Sequence, residues 1–203
     1  MRAAQHDAVN TKTLNVGRGG STLDADFGAG AAEPTKLDYR RGYEFDGAAD
    51  YMILSSFPST AIWTVLLTLQ SLQMTATPNE YLLDAETGRL VIGWAAASNV
   101  LQIYDGTWRN TVIYARDDAA IHTLAITNAG ADVYGIYFDG ESRGTVAGTS
   151  RSLGGDVALG AEYTGTGRWT EMNLYHAGIA DAVLTPTQCL QYHRSQMKRL
   201  HQI

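Results

Sequence analysis

Tyr43-Glu-Phe-Asp-Gly-Ala-Ala-Asp-Tyr-Met-Ile-Leu-Ser-Ser56, echoed late in the chain by Ile136-Tyr-Phe-Asp-Gly140, decides the fold. In both places a short apolar strand runs into Asp-Gly, a strong hairpin signal, because glycine accepts the positive φ that tight turns require. Turns are therefore predicted at Asp46-Gly47 and Asp139-Gly140. Tyr43 and Phe45, then Tyr51 and Ile53, alternate at period two on either side of the first turn, as half-buried strands do.

The pattern continues outward from there. Ile62-Trp-Thr-Val-Leu-Leu-Thr-Leu69 is apolar enough to be a central strand. Tyr81–Leu83 and Arg89–Trp94 flank Glu86-Thr87-Gly88, Val100–Tyr104 and Thr107–Tyr114 flank Asp105-Gly106, and Ile121–Thr127 and Val133–Phe138 flank Asn128-Ala129-Gly130. Turn signals at intervals of about 8–12 residues indicate an all-β sandwich. Near the C-terminus the period changes. Thr185-Pro186-Thr187-Gln188 reads as a capping box with proline at the first helical position. Leu190, His193, Met197 and Leu200 then define one face of an amphipathic helix over 186–200.

The order of the pieces is itself informative. An F-D-G-x-x-D-Y opening strand, a long strand with Trp63, the His122-Thr-Leu-Ala-Ile-Thr127 strand, the Tyr-Phe-Asp-Gly hairpin, Ala158-Leu-Gly160 and a short C-terminal helix follow one another. This resembles the concanavalin A-like lectin/glucanase superfamily in its laminin-G-like or pentraxin-like branch, over roughly residues 41–200. The resemblance implies a two-sheet antiparallel jelly-roll sandwich over 41–203, preceded by an arm over 1–40.

Composition fits one β-rich domain: 203 residues, 45% hydrophobic and 18% charged, with 21 glycines against 4 prolines. Cys189 is the single cysteine, so no internal disulfide can form. There is no apolar run of membrane-spanning length, no secretory h-region after Met1 and no Asn-x-Ser/Thr sequon, so a protein used without export is expected. The net charge of −6 divides into a neutral 1–40, −9 over 41–185 and +3 over 186–203. An acidic body without a basic stripe argues against nucleic acid.

Between Gly17 and Ala32, nine of sixteen residues are Gly or Ala, too few large groups for an independent core. The expectation is an extended arm that docks on a neighbouring subunit through Leu14, Leu23 and Phe27. Gly17-Arg-Gly-Gly20 lacks the Lys-Ser/Thr of a phosphate loop.

Chemistry-bearing sets are sparse. The superfamily's glucanases carry an E-x-D-x-E strand, which this chain lacks; Asp84-Ala-Glu86 is the nearest approach and reads as turn decoration. The five histidines are dispersed, with His122 read as a core or interstrand residue, so no metal site is expected. A rim Ca²⁺ held by Asp105, Asp117-Asp118 or Asp156 is the minority alternative, and no other cofactor is expected. Trp63 and Trp169 read as core and Trp94 as ambiguous. Trp108, beside Arg109 and Asn110 and after Asp105-Gly106, is the candidate ligand platform, against the alternative that it packs across strands.

The expected function is a non-enzymatic structural or interaction protein. Small signal-less chains with such a domain look like tailed-phage virion components, such as capsid decoration proteins, head fibres or tail appendages. The expected partners are other virion subunits, including copies of itself as a homo-oligomer, with a surface glycan as the further partner under the lectin alternative, and no membrane. The expected location is the virion after synthesis in host cytoplasm, with a cytoplasmic alternative. The functional alternative is a carbohydrate-binding lectin module; a glycoside hydrolase is more remote.

Overall fold

The computed structural model describes strands at 5–6, 12–14 and 25–27 and residues 33–37, 42–71, 79–95, 100–114 and 120–201. These residues form two antiparallel sheets and one C-terminal helix. The first sheet runs β1 (Gln5–His6), β2 (Lys12–Leu14), β3 (Ala25–Phe27), β6 (Met52–Thr60), β15 (Leu153–Leu159), β8 (Glu80–Ala85), β9 (Leu90–Trp94), β10 (Val100–Tyr104), β11 (Trp108–Tyr114). The second runs β14 (Glu141–Ala147), β13 (Val133–Phe138), β12 (His122–Asn128), β7 (Trp63–Ser71), β16 (Glu171–Ala180), β5 (Gly42–Asp46), β4 (Thr35–Leu37). This is the all-β sandwich that the turn spacing indicated, with the two antiparallel sheets that the resemblance implied.

The two sheets meet across one apolar core that includes Phe45, Trp63, Leu83, Ile92, Ile103 and Tyr134. β7 is almost wholly buried because β12 and β16 pair with it on its two sides. That explains its near-continuous apolar sequence. The Trp63 indole N–H donates to the Arg151 carbonyl at 2.8 Å, so its buried polar atom is satisfied.

The Asp-Gly turns are built in two ways. Asp46 Oδ1 accepts the backbone N–H groups of Ala48, Ala49 and Asp50, and Gly47 sits at φ 69°. Asp139 and Gly140 have φ of 53° and 78°, the pair of positive values of a type I′ hairpin.

Strands from the first forty residues join both sheets: β3 pairs with β6, with Ala25 opposite Leu54, and β4 pairs with β5, with Thr35 opposite Glu44. Leu14 and Phe27 lie in β2 and β3; Leu23, Gly17–Gly20 and Asp117-Asp118 lie outside the described residues.

Helix α1 (Pro186–His201) is capped as its sequence indicates: Gln188 N–H donates to Thr185 Oγ1, and Gln188 Oε1 accepts the Thr185 N–H. Its buried side chains are Cys189, Tyr192, Gln196 and Leu200. The face is thus rotated from the expected Leu190, His193, Met197 and Leu200, of which only Leu200 is buried. The rotation turns Tyr192 toward β7, where its hydroxyl meets Thr68 Oγ1 at 2.7 Å and His176 Nδ1 at 3.1 Å. No helix of the described residues is long and apolar enough to cross a membrane.

His176 gives the docked helix a pH dependence. Burial, aided by Arg199, pushes its pKa from the usual 6.5 down to about 4. The unfolded chain therefore binds more protons between these values, so this stability is fully present above 6.5 and is lost as pH falls toward 4. The loss expected from this residue is about 3 kcal/mol. Melting temperatures of the protein should fall across that window, and His176→Gln should flatten the slope there.

Candidate functional site

The registers of the first sheet sort the residues around Asp105-Gly106 onto different faces. Tyr104 pairs with Trp108 and Gln102 with Asn110, while Ile103 pairs with Arg109. One strand further in, Val91 pairs with Tyr104 and Gly93 with Gln102; beyond that, Asp84 pairs with Val91 and Tyr81 with Gly93. Alternation then puts Tyr81, Asp84, Gln102, Tyr104, Trp108 and Asn110 on the outer face, with Leu83, Ile92 and Ile103 in the core beneath.

Trp108 is half-buried at the open end of this face. Its ring centroid lies 5.1 Å from Tyr104 and 6.0 Å from Tyr81, both in tilted arrangements. The contact with Tyr81 spans the two intervening strands, over Gly93, which carries no side chain. A Cβ at Gly93 would be driven into the Glu80 carbonyl. Beside the rings, Gln102 Nε2 donates to Asn110 Oδ1 at 2.6 Å, a solvent-facing pair. The Gln102 carbonyl and the Asn110 amide protons remain outward as acceptor and donors.

The segment between β15 and β16 folds over the other end of the face. Arg168 O accepts the Tyr81 N–H at 3.0 Å, and Tyr163 N–H donates to Asp84 Oδ2 at 3.1 Å. Arg89 places one guanidinium nitrogen 3.2 Å from Asp84 and 3.1 Å from Glu162, and lies over the Tyr163 ring. Asp84 therefore is not a turn ornament. Its side chain is fully buried, its Oδ1 has no hydrogen-bond partner among the described residues, and burial pushes its pKa up to about 6 despite Arg89.

Glu86 is exposed in the following turn and its Oε2 accepts the Asp156 N–H. A raised carboxyl with a second carboxylate nearby has the electrostatics of an acid–base pair. Here Arg89 sits between Asp84 and Glu162, and Asp84 offers no surface to a substrate.

Asp105 and Arg109 belong to a different arrangement from Trp108 and Asn110. Asp105 is 1% exposed; its carboxylate accepts the N–H groups of Thr107 and Thr149 and the Arg109 Nε–H, and its carbonyl accepts Arg151 Nε–H at 2.7 Å. It clamps the β10–β11 hairpin to the 148–151 segment. Asp105→Ala should cost about 2–3 kcal/mol by leaving these donors unpaired, measurable by urea denaturation. Asp156 Oδ1 is likewise engaged, by the Ser56 N–H.

The His122 Nδ1–H donates to Asp139 Oδ2 at 2.8 Å, and the imidazole stacks on Phe138. The pull of burial on Asp139 is outweighed by His122 and the Thr123 N–H, which hold its pKa below the usual carboxylate range. Trp94 is buried and Trp169 only half-buried. No group of three or more His, Cys, Asp or Glu suited to a metal ion occurs among the described residues.

The sequence pointed to Trp108 and Asn110 but not to Tyr81, Gln102, Tyr104 or Arg168. Counting back from the Asp105-Gly106 turn reaches Tyr104 and Gln102. No local signal connects Tyr81 or Arg168 to the site.

No protein-family model matches the chain, and no curated protein matches it. Solved structures do. A native heptameric SAP-like pentraxin from Limulus polyphemus is 14% identical, with 76% of this chain and 82% of that chain covered at a TM-score of 0.57. Trypanosoma rangeli sialidase in complex with sialic acid is 12% identical over 97% of this chain at a TM-score of 0.72, but the match spans only 33% of the sialidase. A putative carbohydrate binding protein from Bacteroides ovatus is 15% identical, with 76% of this chain and 47% of that chain covered at a TM-score of 0.61. At these identities the likeness is one of fold alone: the chain shares a two-sheet antiparallel sandwich with these structures.

Proposed function

We propose that this chain is a non-enzymatic glycan-binding module whose site is the outer face around Trp108. The observation that carries the reading is the half-exposed pair of Trp108 and Tyr104, backed by the buried Tyr81, beside the solvent-facing Gln102–Asn110 amide pair. A sugar ring presents an apolar C–H face and equatorial hydroxyls. The Trp108 indole, with Tyr104 tilted beside it, supplies an apolar surface for the first, and the amides supply donor and acceptor for the second. The pairing of β3 and β4 with β6 and β5 of the same chain supports a self-contained module.

The second reading is a component of a larger assembly such as a tailed-phage virion, with the arm docked on a neighbour. It draws on β1, a two-residue strand at the sheet's open edge, since edge strands are where other chains add. The pairing of β3 to its own sandwich leaves less of the arm to reach outward, and favours the binding module.

A glycan array probed with the purified protein, followed by calorimetry on the hits, tests the main reading. Saturable binding that Trp108→Ala removes supports it, and silence across neutral and acidic glycans sinks it. If silence coincides with a defined oligomer that dissolves on deleting residues 1–31, the assembly reading takes its place. No hydrolysis is expected for any glycan bound: product release by the intact protein, lost in Asp84→Asn, would overturn the non-enzymatic part.

A further inference from the structure

Resting on the reading of this face as a glycan site, we propose that Arg168 selects a sugar bearing a carboxylate, as in a uronic acid, by pairing with it at the edge of the aromatic cluster. Arg168 is exposed, with its guanidinium carbon 6.0 Å from the Tyr81 ring centroid; Tyr81 in turn meets Trp108. Tyr81 thus links the Trp108 indole to a cation, one ring away from where a sugar would stack.

Three observations set Arg168 apart in combination, since Arg194 is also exposed without an ion pair among the described residues and Arg89 also has a positive φ. Arg89, Arg109 and Arg143 each meet a carboxylate, whereas among the described residues none lies within ion-pair distance of Arg168. The nearby Glu162 is taken by Arg89. The backbone of Arg168 is held at φ 62°, a conformation that glycine adopts without strain and arginine does not, although Gly165 and Gly167 stand within three residues of it. Strain of this kind is retained where a side chain has work to do in that place.

The hydrogen bond from Tyr81 N–H to Arg168 O then fixes where the guanidinium starts. The planar fork of arginine matches a carboxylate with two parallel hydrogen bonds. The body of the chain over 41–185 carries −9. A polyanion such as a heavily sulfated chain is repelled by such a surface. One carboxylate is what a single guanidinium in this setting accommodates.

The test uses pairs of oligosaccharides, each acidic member carrying one carboxylate (a short neutral chain ending in a single galacturonate or a single glucuronate, sialyllactose) matched with its carboxyl-reduced or unsialylated counterpart. With a monosulfated lactose alongside, they are titrated by calorimetry against the intact protein and Arg168→Gly. The protein should bind at least one acidic member about tenfold more tightly than its neutral counterpart. Arg168→Gly should bind both members of that pair with the neutral affinity, and should melt at or above the wild-type temperature because glycine relieves the strain.

Equal affinity of the wild type for both members of every pair overturns the proposal while leaving the glycan reading standing. A variant that melts lower and loses the neutral sugar too also overturns it, making Arg168 a prop for Tyr81. Tighter binding of sulfated than of carboxylated members overturns the choice of carboxylate. Failure to bind any sugar sinks the reading beneath it.

Discussion

Trp108→Ala should weaken glycan binding by about 30- to 100-fold, the signature of a central aromatic anchor worth 2 kcal/mol or more. The folded protein should barely notice. β11 is the edge strand of its sheet, so among the described residues no further strand pairs with its outer side. The indole stands on the outer face and is half-buried, its ring contacts being Tyr104 and Tyr81 rather than the core. Losing such ring pairs costs about 0.5–1.5 kcal/mol, a few degrees in melting temperature.

Trp108→Phe, which keeps a smaller flat surface, should fall between wild type and alanine in affinity. Calorimetric titration and a thermal melt on the same preparations separate the two effects. Unchanged affinity in a folded Trp108→Ala protein places the sugar elsewhere. A collapse of the fold instead makes Trp108 a packing residue.

The fold could be read because its turns are local. Asp105-Gly106 and Asp139-Gly140 each announce a hairpin, and alternation on either side sets which residues face inward. Asp46-Gly47 carries the same signal but turns the chain from one sheet into the other, β5 pairing with β16 and β4 while β6 pairs with β3 and β15. The site was only partly readable for the same reason. Consecutive residues on a strand face opposite ways, so Trp108, Arg109 and Asn110 could not all converge on one ligand: Trp108 and Asn110 face outward, while Arg109 turns to Asp105.

Tyr81 and Arg168 reach the site only through the strand order β15-β8-β9-β10-β11, which joins segments about ninety residues apart in sequence. No local pattern encodes that order. The helix shows a milder form of the same difficulty. Leu190, His193 and Met197 satisfy the apolar spacing, but Tyr192 wins the buried position because Thr68 and His176 offer its hydroxyl partners. Hydropathy assigns no value to that.

Gly140→Val should destabilise the protein by about 4 kcal/mol, because two costs coincide at one atom. The first is local. Gly140 sits at φ 78°, where a β-branched residue is strained, a cost of about 1–2 kcal/mol. The second comes from helix α1, which packs on the turn: a Cβ at Gly140 would lie 2.9 Å from His193 Cβ, 3.0 Å from Leu190 Cδ1 and 3.1 Å from Leu190 Cα. The last of these is backbone and cannot rotate away, so the turn or the helix must move.

Gly130→Val provides the control. Gly130 has a nearly equal φ of 75° but nothing within 4 Å of a would-be Cβ, so it should show the local cost alone. The difference between the two variants in urea denaturation therefore measures the docking of the helix on the hairpin. Cys189 gives a second readout. It is buried under that helix, and burial raises its thiol pKa to about 11, which keeps it unreactive at neutral pH. In Gly140→Val a thiol reagent should modify Cys189 faster, and in Gly130→Val at the wild-type rate. Equal destabilisation of both variants with unchanged thiol reactivity would show that the helix yields at no cost, and that the turn alone carries the effect.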